Sequence, residues 1–410
     1  MDLDQLQSVP RVAFFPDSFV EINGAAMTCR RLADFARSRN YPYLVIYACR
    51  KTERKQEGSA IYQSLKRSSL SFPLDEELAY DPLFQRHTKR VLKQILEFKP
   101  DVIHITGVND VSIIGAYLAW KLQIPLVGSW HTNVHEFAAQ RLSNLFRFLP
   151  ENISKKVSGF AEQKILDGAV LYYKMPKVVL APNQELVDLL GKGTERSAFL
   201  MGRGVDPEKF SPTHRTVSDD TIRLGFVGRL RAEKNVRKLI EIEDGLIAEG
   251  VSNYEFLIVG EGSEHEYLER RMKKAVFTGF LEGEELSEAY ANMDIFLFPS
   301  ETDAFGNVAQ EAAASGVVPI VSDKGGPKYL IEHDVTGFIA KNISDFTDYA
   351  SMLINDPARL GRMRKAARDS AMSRSWESIF EGVYDAYRES IRIAEARKIA
   401  AINGNGGHSN

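Results

Sequence analysis

Apolar positions along the chain recur in two patterns. Short runs rich in β-branched and aromatic residues alternate with longer stretches in which apolar residues return every three or four positions. That alternation predicts strand, helix, strand units in a mostly parallel sheet. In the first half the predicted strands are Arg11–Phe15, Tyr43–Ala48, Val102–Ile105, Pro125–Ser129 and Lys177–Ala181. The series restarts at Ile222–Val227 and continues through Tyr254–Val259, Ala275–Thr278, Ile295–Phe298 and Val317–Val321. Unbroken apolar runs of this kind suit strands buried on both faces. The expected fold class is α/β, with two Rossmann-like, doubly wound domains facing each other across a cleft. Gly202–Asp220, rich in Gly, Pro, Ser, Thr and charge, reads as the link between them. Trp376–Ala400 is an amphipathic helix candidate, and residues 401–410, rich in Gly and Asn, are expected to be disordered. Doubly wound sheets bind ligands at the carboxyl ends of their strands, so chemistry is sought in the loops that follow strands.

Composition narrows the class. The 410 residues suffice for two or three domains. At 44% hydrophobic and 26% charged, the chain is neither disordered nor fibrous. The richest apolar stretch, Ser112–Trp130, is broken by Lys121, Gln123 and Pro125, which argues against a membrane span. Met1-Asp2-Leu3-Asp4 lacks the basic and apolar blocks of a secretory signal, so cytoplasmic residence is expected. Cys29 and Cys49 are too few for a disulfide framework. The net charge of −3 divides unevenly: residues 1–200 hold 26 Lys and Arg against 21 Asp and Glu, and the remainder 26 against 34. A small basic excess without a basic and aromatic module does not indicate nucleic-acid binding.

The strongest chemical signal runs from Phe298 to Gly316. A buried strand enters a loop containing Asp303, Phe305 and Gly306, and a helix is expected to begin at Asn307. A glycine admits close approach of a ligand to the backbone, and the amides of Asn307 and Val308 with the helix dipole favour an anion such as phosphate. Asp303 and Glu311 are spaced to present two carboxylates to one pocket, where they would accept hydrogen bonds from sugar hydroxyls. An acidic loop before a capped helix is the plainer account. Gly228-Arg229 through Lys234 follows another strand and brings two cations to the mouth of the same sheet, suited to a diphosphate, or simply solvated surface charge. Gly260-Glu261-Gly262 follows a third strand and would admit a base or ribose, or form an ordinary turn. In the first half, Asn23-Gly24-Ala25 precedes a helix, and His131 follows a strand where it could donate to a sugar hydroxyl or the departing group. His131 and His135 have the spacing of two metal ligands, but no third ligand accompanies them, so no metal site is predicted.

Over Arg11 to about Tyr387 the chain resembles family 4 of the retaining glycosyltransferases, which have the GT-B architecture. The likeness rests on Asp303 to Glu311 with the following Ala312–Gly316, on Gly228 to Asn235, and on Gly325-Gly326-Pro327 to Gly337. Asn23-Gly24 with Thr28, His131-Thr132-Asn133 and Gly202 to Asp206 are similar to the branch of bacterial glycolipid alpha-mannosyltransferases and sulfoquinovosyl diacylglycerol synthase. The resemblance implies an acceptor-side domain at 1–203, completed by the helix at about 376–400, and a nucleotide-sugar-binding domain at 204–375. It implies a nucleoside diphosphate sugar donor, with GDP-mannose the first guess and a UDP-sugar the second, and no metal or other cofactor. Arg229 and Lys234 are implied to contact the diphosphate, Glu311 the ribose, and Asp303 with Phe305, Gly306, Asn307 and Val308 the donor sugar and phosphate. Gly260 and Glu261 are assigned to donor binding beside them, Gly24 shapes the loop over the donor, and His131 approaches the sugar. The family usually has Glu where this chain has Asp303, and Ala25 replaces a frequent second glycine.

Asn144–Lys174 mixes Leu145, Phe146, Phe148 and Leu149 with Arg147, Lys155 and Lys156. It reads either as an interfacial helix at an anionic membrane surface or as a helix packed on its own domain. The branch resemblance favours a lipid-linked or glycan acceptor and peripheral attachment to the inner face of the membrane. Competing readings are a sugar phosphorylase, a nucleotide-sugar epimerase or a noncatalytic nucleotide-sugar sensor. A nicotinamide dehydrogenase is disfavoured because no strand precedes a full Gly-x-Gly-x-x-Gly turn.

Overall fold

The computed structural model of the chain describes residues 9–21, 23–73, 79–131 and 163–405. The chain divides into two compact units, Met1–Gly202 with Glu377–Asn410, and Arg203–Trp376. In the first unit the strands are β1 (Val12–Phe15), β2 (Tyr43–Cys49), β3 (Glu53–Glu57), β4 (Ala60–Lys66), the short pair β5 (Phe72–Pro73) and β6 (Ala79–Tyr80), β7 (Val102–Ile105), β8 (Leu126–Ser129), β9 (Val178–Ala181) and β10 (Ser197–Leu200). Eight of them form one sheet in the order β10-β9-β8-β7-β1-β2-β4-β3, parallel throughout except for β3 against β4. The second unit contributes β11 (Ile222–Val227), β12 (Tyr254–Val259), β13 (Ala275–Gly279), β14 (Ile295–Phe298), β15 (Val318–Ser322) and β16 (Phe338–Ala340). These make an all-parallel sheet in the order β13-β12-β11-β14-β15-β16.

Every strand expected from an apolar run is present to within one residue at each end. Among the described residues six further strands carry no such run. β3 reads Glu-Arg-Lys-Gln-Glu and is almost wholly exposed, a charged edge that discourages pairing with another chain. It exists because β4 offers it a ladder, a partner no local pattern announces.

Gly202–Asp220 is not a loose link. Arg203, Val205, Phe210 and Ser211 are buried, and the Phe210 ring meets Tyr290 edge-on at 5.4 Å. Two apolar side chains inside a Gly- and Pro-rich stretch were enough to fold it onto the second unit, where Arg215 also pairs with Asp294 at 3.2 Å. The final helix, Trp376–Asn405, runs five residues into the segment expected to be disordered, since extending a helix already nucleated by packing costs little. Residues 406–410 lie outside the described residues, as do 144–162 of the segment read as interfacial. Among the described residues no helix is long and apolar enough to cross a membrane.

Each sheet reverses its winding once, between β1 and β7 in the first unit and between β11 and β14 in the second. In the first unit the crevice at that point is filled by the protein itself. Asp17, just beyond β1, accepts the amides of Asn109 at 3.0 Å and Ser112 at 3.2 Å, capping the helix Asp110–Leu122 from another element. Burial pushes its carboxyl up to about 6, against the hydrogen bonds from Ser112 and Asn109. A folded-state value above the unfolded one means that ionisation opposes folding: the cost is absent below about pH 4 and grows as pH rises to about 6. Wild-type protein should therefore lose about 2–3 kcal/mol relative to Asp17→Asn between pH 4 and pH 7, read from denaturant titrations at each pH. A constant difference between the two proteins would refute this.

Candidate active site

β11 and β14 lie side by side and parallel, flanking the point where the second sheet reverses. Their carboxyl ends carry the two strongest sequence motifs. β11 runs into Gly228 and Arg229, and a single helical turn, Ala232–Lys234, follows. Asn235 then takes a left-handed conformation, φ 54°, and its side-chain amide donates to the Pro299 carbonyl at 3.2 Å, stitching this loop to the one after β14. The stitch brings the Lys234 ammonium to 2.7 Å from Asp303 Oδ1, with both side chains largely buried. The Ser300 hydroxyl donates to the other Asp303 oxygen. Burial alone would raise the Asp303 carboxyl, but the Lys234 charge and hydrogen bond, the Ser300 hydroxyl and the charge of Arg229 outweigh it and hold the group below its ordinary value. Beside it, Glu301 bridges Lys238 at 2.7 Å and Lys324 at 3.3 Å.

Beyond Asp303 the backbone turns through Gly306 at φ 90°, ψ 58°, a conformation that strains any residue with a side chain, and opens the helix Asn307–Ala314. No side chain caps this helix; the Gly306 carbonyl is met by the amides of Ala309 at 3.1 Å and Gln310 at 3.3 Å. The amides of Asn307 and Val308, lying at the first turn, have no carbonyl a turn behind them and form a positive helix end. Phe305 is buried, with the Arg203 guanidinium 5.9 Å from its ring centre, and Gln310 fixes Arg203 through its carbonyl at 2.8 Å. Glu311, one turn inside the helix, accepts the Tyr290 hydroxyl at 2.9 Å. The loop is backed by Gly325 and Gly326: the Gly326 amide donates to the Asp303 carbonyl at 2.6 Å, and a Cβ on Gly326 would fall 1.9 Å from the Ala304 carbonyl oxygen.

Gly260 and Glu261 follow β12. The Gly260 amide donates to Gly279 at 2.8 Å, and its Cα face is met by the Gly228 carbonyl, so here the close approach is made by the protein's own backbone. Glu261 points outward to His265 Nδ1 at 2.9 Å. The second unit thus brings Arg229, Lys234, Asp303, Phe305, Gly306, Asn307, Val308 and Glu311 to neighbouring loops of one sheet end, with Gly260 and Glu261 on the loop after the adjoining strand.

The other two expected residues belong to the first unit. Gly24 is the first residue of the helix Gly24–Ser38 rather than part of a free loop; Asn23 caps that helix by accepting the Ala26 amide at 2.8 Å. His131 sits just past β8, and its Nε2 lies 2.7 Å from Ser129 Oγ. Ser129 Oγ is in turn 2.9 Å from Nε2 of the fully buried His104, whose Nδ1 is 2.7 Å from the Tyr387 hydroxyl on the final helix. Burial pushes His104 down to about 3, so it stays neutral and one ring nitrogen donates while the other accepts. This chain of hydrogen bonds, which orients the His131 ring, was not foreseen. The one signal for it was a polar residue inside the apolar run Val102–Ile105. His135, Thr132 and Asn133 lie outside the described residues.

The family model for Glycosyl transferases group 1 matches residues 209–370, and that for Glycosyltransferase Family 4 matches residues 22–209. A GDP-mannose-dependent alpha-mannosyltransferase of Mycobacterium tuberculosis is 30% identical over 92% of this chain and 97% of its own length. The chain belongs to the group 1 glycosyltransferases. It is also 27% identical to sulfoquinovosyl transferase SQD2 of Arabidopsis thaliana, over 92% of this chain and 73% of that one. Sucrose-phosphate synthase of Thermosynechococcus elongatus superposes with a TM-score of 0.68 at 16% identity, covering 92% of this chain and 98% of that one. The fold is GT-B, and the glycosyltransferase activity of the family falls to this chain.

Two substitutions probe the supports of these loops, and a third serves as a control. Gly326→Ala must displace the backbone that carries Asp303 and Gly306, so glycosyl transfer should fall at least tenfold and the melting temperature should drop. Gly361→Ala, on a helix with nothing within 4 Å, should instead add about 1 kcal/mol. Ser129→Ala removes one hydrogen bond to His131, worth about 1 kcal/mol, so turnover should fall about fivefold with little change in donor affinity. Unchanged turnover would remove the His104 chain from the site.

Proposed function

We propose that the chain is a retaining hexosyltransferase that moves mannose from GDP-mannose to a hydroxyl of a lipid-linked or glycan acceptor at the cytoplasmic face of the membrane. In this reading the second unit holds the donor and the first the acceptor. The observation that carries it is the Lys234–Asp303 pair at 2.7 Å, with the charge of Arg229 acting on the same carboxylate and a helix without a side-chain cap starting at Asn307. The equivalent crevice of the first unit is closed by Asp17, whereas the helix start in the second is left for an outside anion.

Breaking the bond between the anomeric carbon and the diphosphate builds positive charge on the sugar and negative charge on the leaving group. Lys234, Arg229 and the amides of Asn307 and Val308 face the second of these. Preorganised donors of this kind stabilise the transition state more than the bound donor, which is what raises turnover. These cations supply charge stabilisation from the chain itself, consistent with a metal-independent reaction. Glu311, fixed by Tyr290, accepts from the ribose hydroxyls, and His131, oriented through Ser129, donates to the sugar. For retention of configuration, a front-face route in which the leaving phosphate takes the acceptor proton is favoured over attack by a carboxylate. Both Asp303 oxygens are engaged, one by Lys234 and one by Ser300, and the group is held ionised as a partner for that lysine. The donor assignment is supported by the alpha-mannosyltransferase relative.

Lys234→Ala should lower turnover at least a hundredfold, because losing one preorganised donor costs about 2.7–4 kcal/mol of barrier. It also leaves the buried Asp303 without its main counter-charge, so the acid limb of the pH–rate profile should move to higher pH. Near-normal turnover at saturating donor would refute the assignment. Among GDP-, UDP- and ADP-sugars, GDP-mannose should raise the melting temperature most, a ligand at a hundred times its dissociation constant adding about 2.7 kcal/mol. A larger shift with a UDP-sugar would replace the donor named here.

A further inference from the structure

At the other end of the first unit's strands lies a groove of about 590 Å³, walled by the end of the helix Asp110–Leu122, the entry to β8, the turn before β9 and the last turns of the final helix. Five of its lining residues, Lys174, Lys177, Arg196, Arg397 and Lys398, are cationic, and none is Asp or Glu. Arg196 is held in place by two hydrogen bonds to the Lys174 carbonyl, at 2.8 and 3.1 Å. Lys177 is partly buried, which lowers its affinity for a proton, and the charges that act on it, Arg397 and Arg196, push the same way. A folded protein that gathers cations around a half-buried lysine without a carboxylate spends stability unless an anion from outside completes the site.

The rim identifies the anion's carrier. Trp120 is 70% exposed and Met175 49%, and Leu171, whose carbonyl accepts the Lys174 amide at 3.2 Å, is 67% exposed. Tyr117 stands next to Trp120, with ring centres 6.2 Å apart and the Lys121 ammonium 5.7 Å from the Tyr117 centroid. Tryptophan and tyrosine beside lysine and arginine match the level of lipid headgroups, where an aromatic ring meets the acyl boundary and the cations meet phosphate. A soluble phosphate compound would not call for exposed Trp120 and Met175 side chains beside the cations. The groove opens at the start of β8, whereas His131 follows its end, a strand length of about 15 Å away, so a lipid seated here is not in position to react.

We propose that this groove docks the protein on an anionic phospholipid bilayer, with headgroup phosphates among Lys174, Lys177, Arg196 and Arg397 and the Trp120 side chain in the interface. The assignment goes beyond the transfer reading and does not depend on it. It is tested by flotation of the full chain with vesicles of phosphatidylcholine mixed with phosphatidylglycerol, and of phosphatidylcholine alone. The protein should float with the anionic vesicles only, with Trp120 emission moving to shorter wavelength. Combined Lys174→Gln, Arg397→Gln and Lys398→Gln should weaken vesicle binding at least thirtyfold, each charge near the surface contributing to attraction. The same variant should transfer sugar to a soluble acceptor at the wild-type rate, which also reports that it is folded. No flotation of the wild type, or equal flotation of the variant, would overturn the proposal. So would protection of the wild type, but not the variant, by inorganic phosphate or glycerol 3-phosphate in the absence of vesicle binding, since the groove would then serve a soluble phosphate.

Discussion

The ion pair between Lys234 and Asp303 is the interaction on which the loops at the carboxyl end of the second unit's sheet depend. It joins the loops after β11 and β14, the two strands at which the sheet reverses its winding. Each partner would be costly alone, because a largely buried ammonium or carboxylate without a counter-charge loses most of its hydration. Together each supplies the other's counter-charge, and the Ser300 hydroxyl and Asn235 amide fix the pair against sliding. The Asp303 carbonyl on the same residue accepts from Gly326, so one position organises the loop through both its side chain and its backbone.

The two units solve the same topological problem in opposite ways. Both leave a helix amino end at the point where winding reverses. In the first, Asp17 supplies the negative charge from within the chain and closes the site, at the expense of a carboxylate whose ionisation opposes folding. In the second, Gly306 stands at the cap position, and no side chain caps the helix that starts at Asn307. In the first unit His131 is oriented by a line of buried polar groups that reaches the final helix at Tyr387. Removing that helix would strip the line of its anchor, so the return of the chain to the first unit holds His131 in place as well as packing the sheet.

Much of this was legible in the amino-acid sequence because buried parallel strands are apolar without interruption, and a strand that enters a glycine-bearing loop before a helix can be read residue by residue. β1, β2, β7 to β9 and β11 to β15 declared themselves in this way, as did Gly306, Asp303 and Glu311. β3 and β4 did not, since a charged edge strand draws its order from the neighbour that pairs with it. The segment from Gly202 to Asp220 misled for the converse reason: its composition is that of a loop, and only the burial of Val205 and Phe210 against the second unit makes it part of a core.

What the sequence determined by itself was local: which residues are strands and helices, where glycine permits a left-handed turn, and which loops carry charge. Tertiary structure decided the pairings. Lys234 and Asp303 stand 69 positions apart, His104 and Tyr387 stand 283 apart, and the cations of the basal groove come from three separate stretches of chain. Contacts at such separations leave no periodicity in the chain. They arise only when burial of the apolar strands has fixed which loops become neighbours, and the charges brought together there must then find either one another or a ligand.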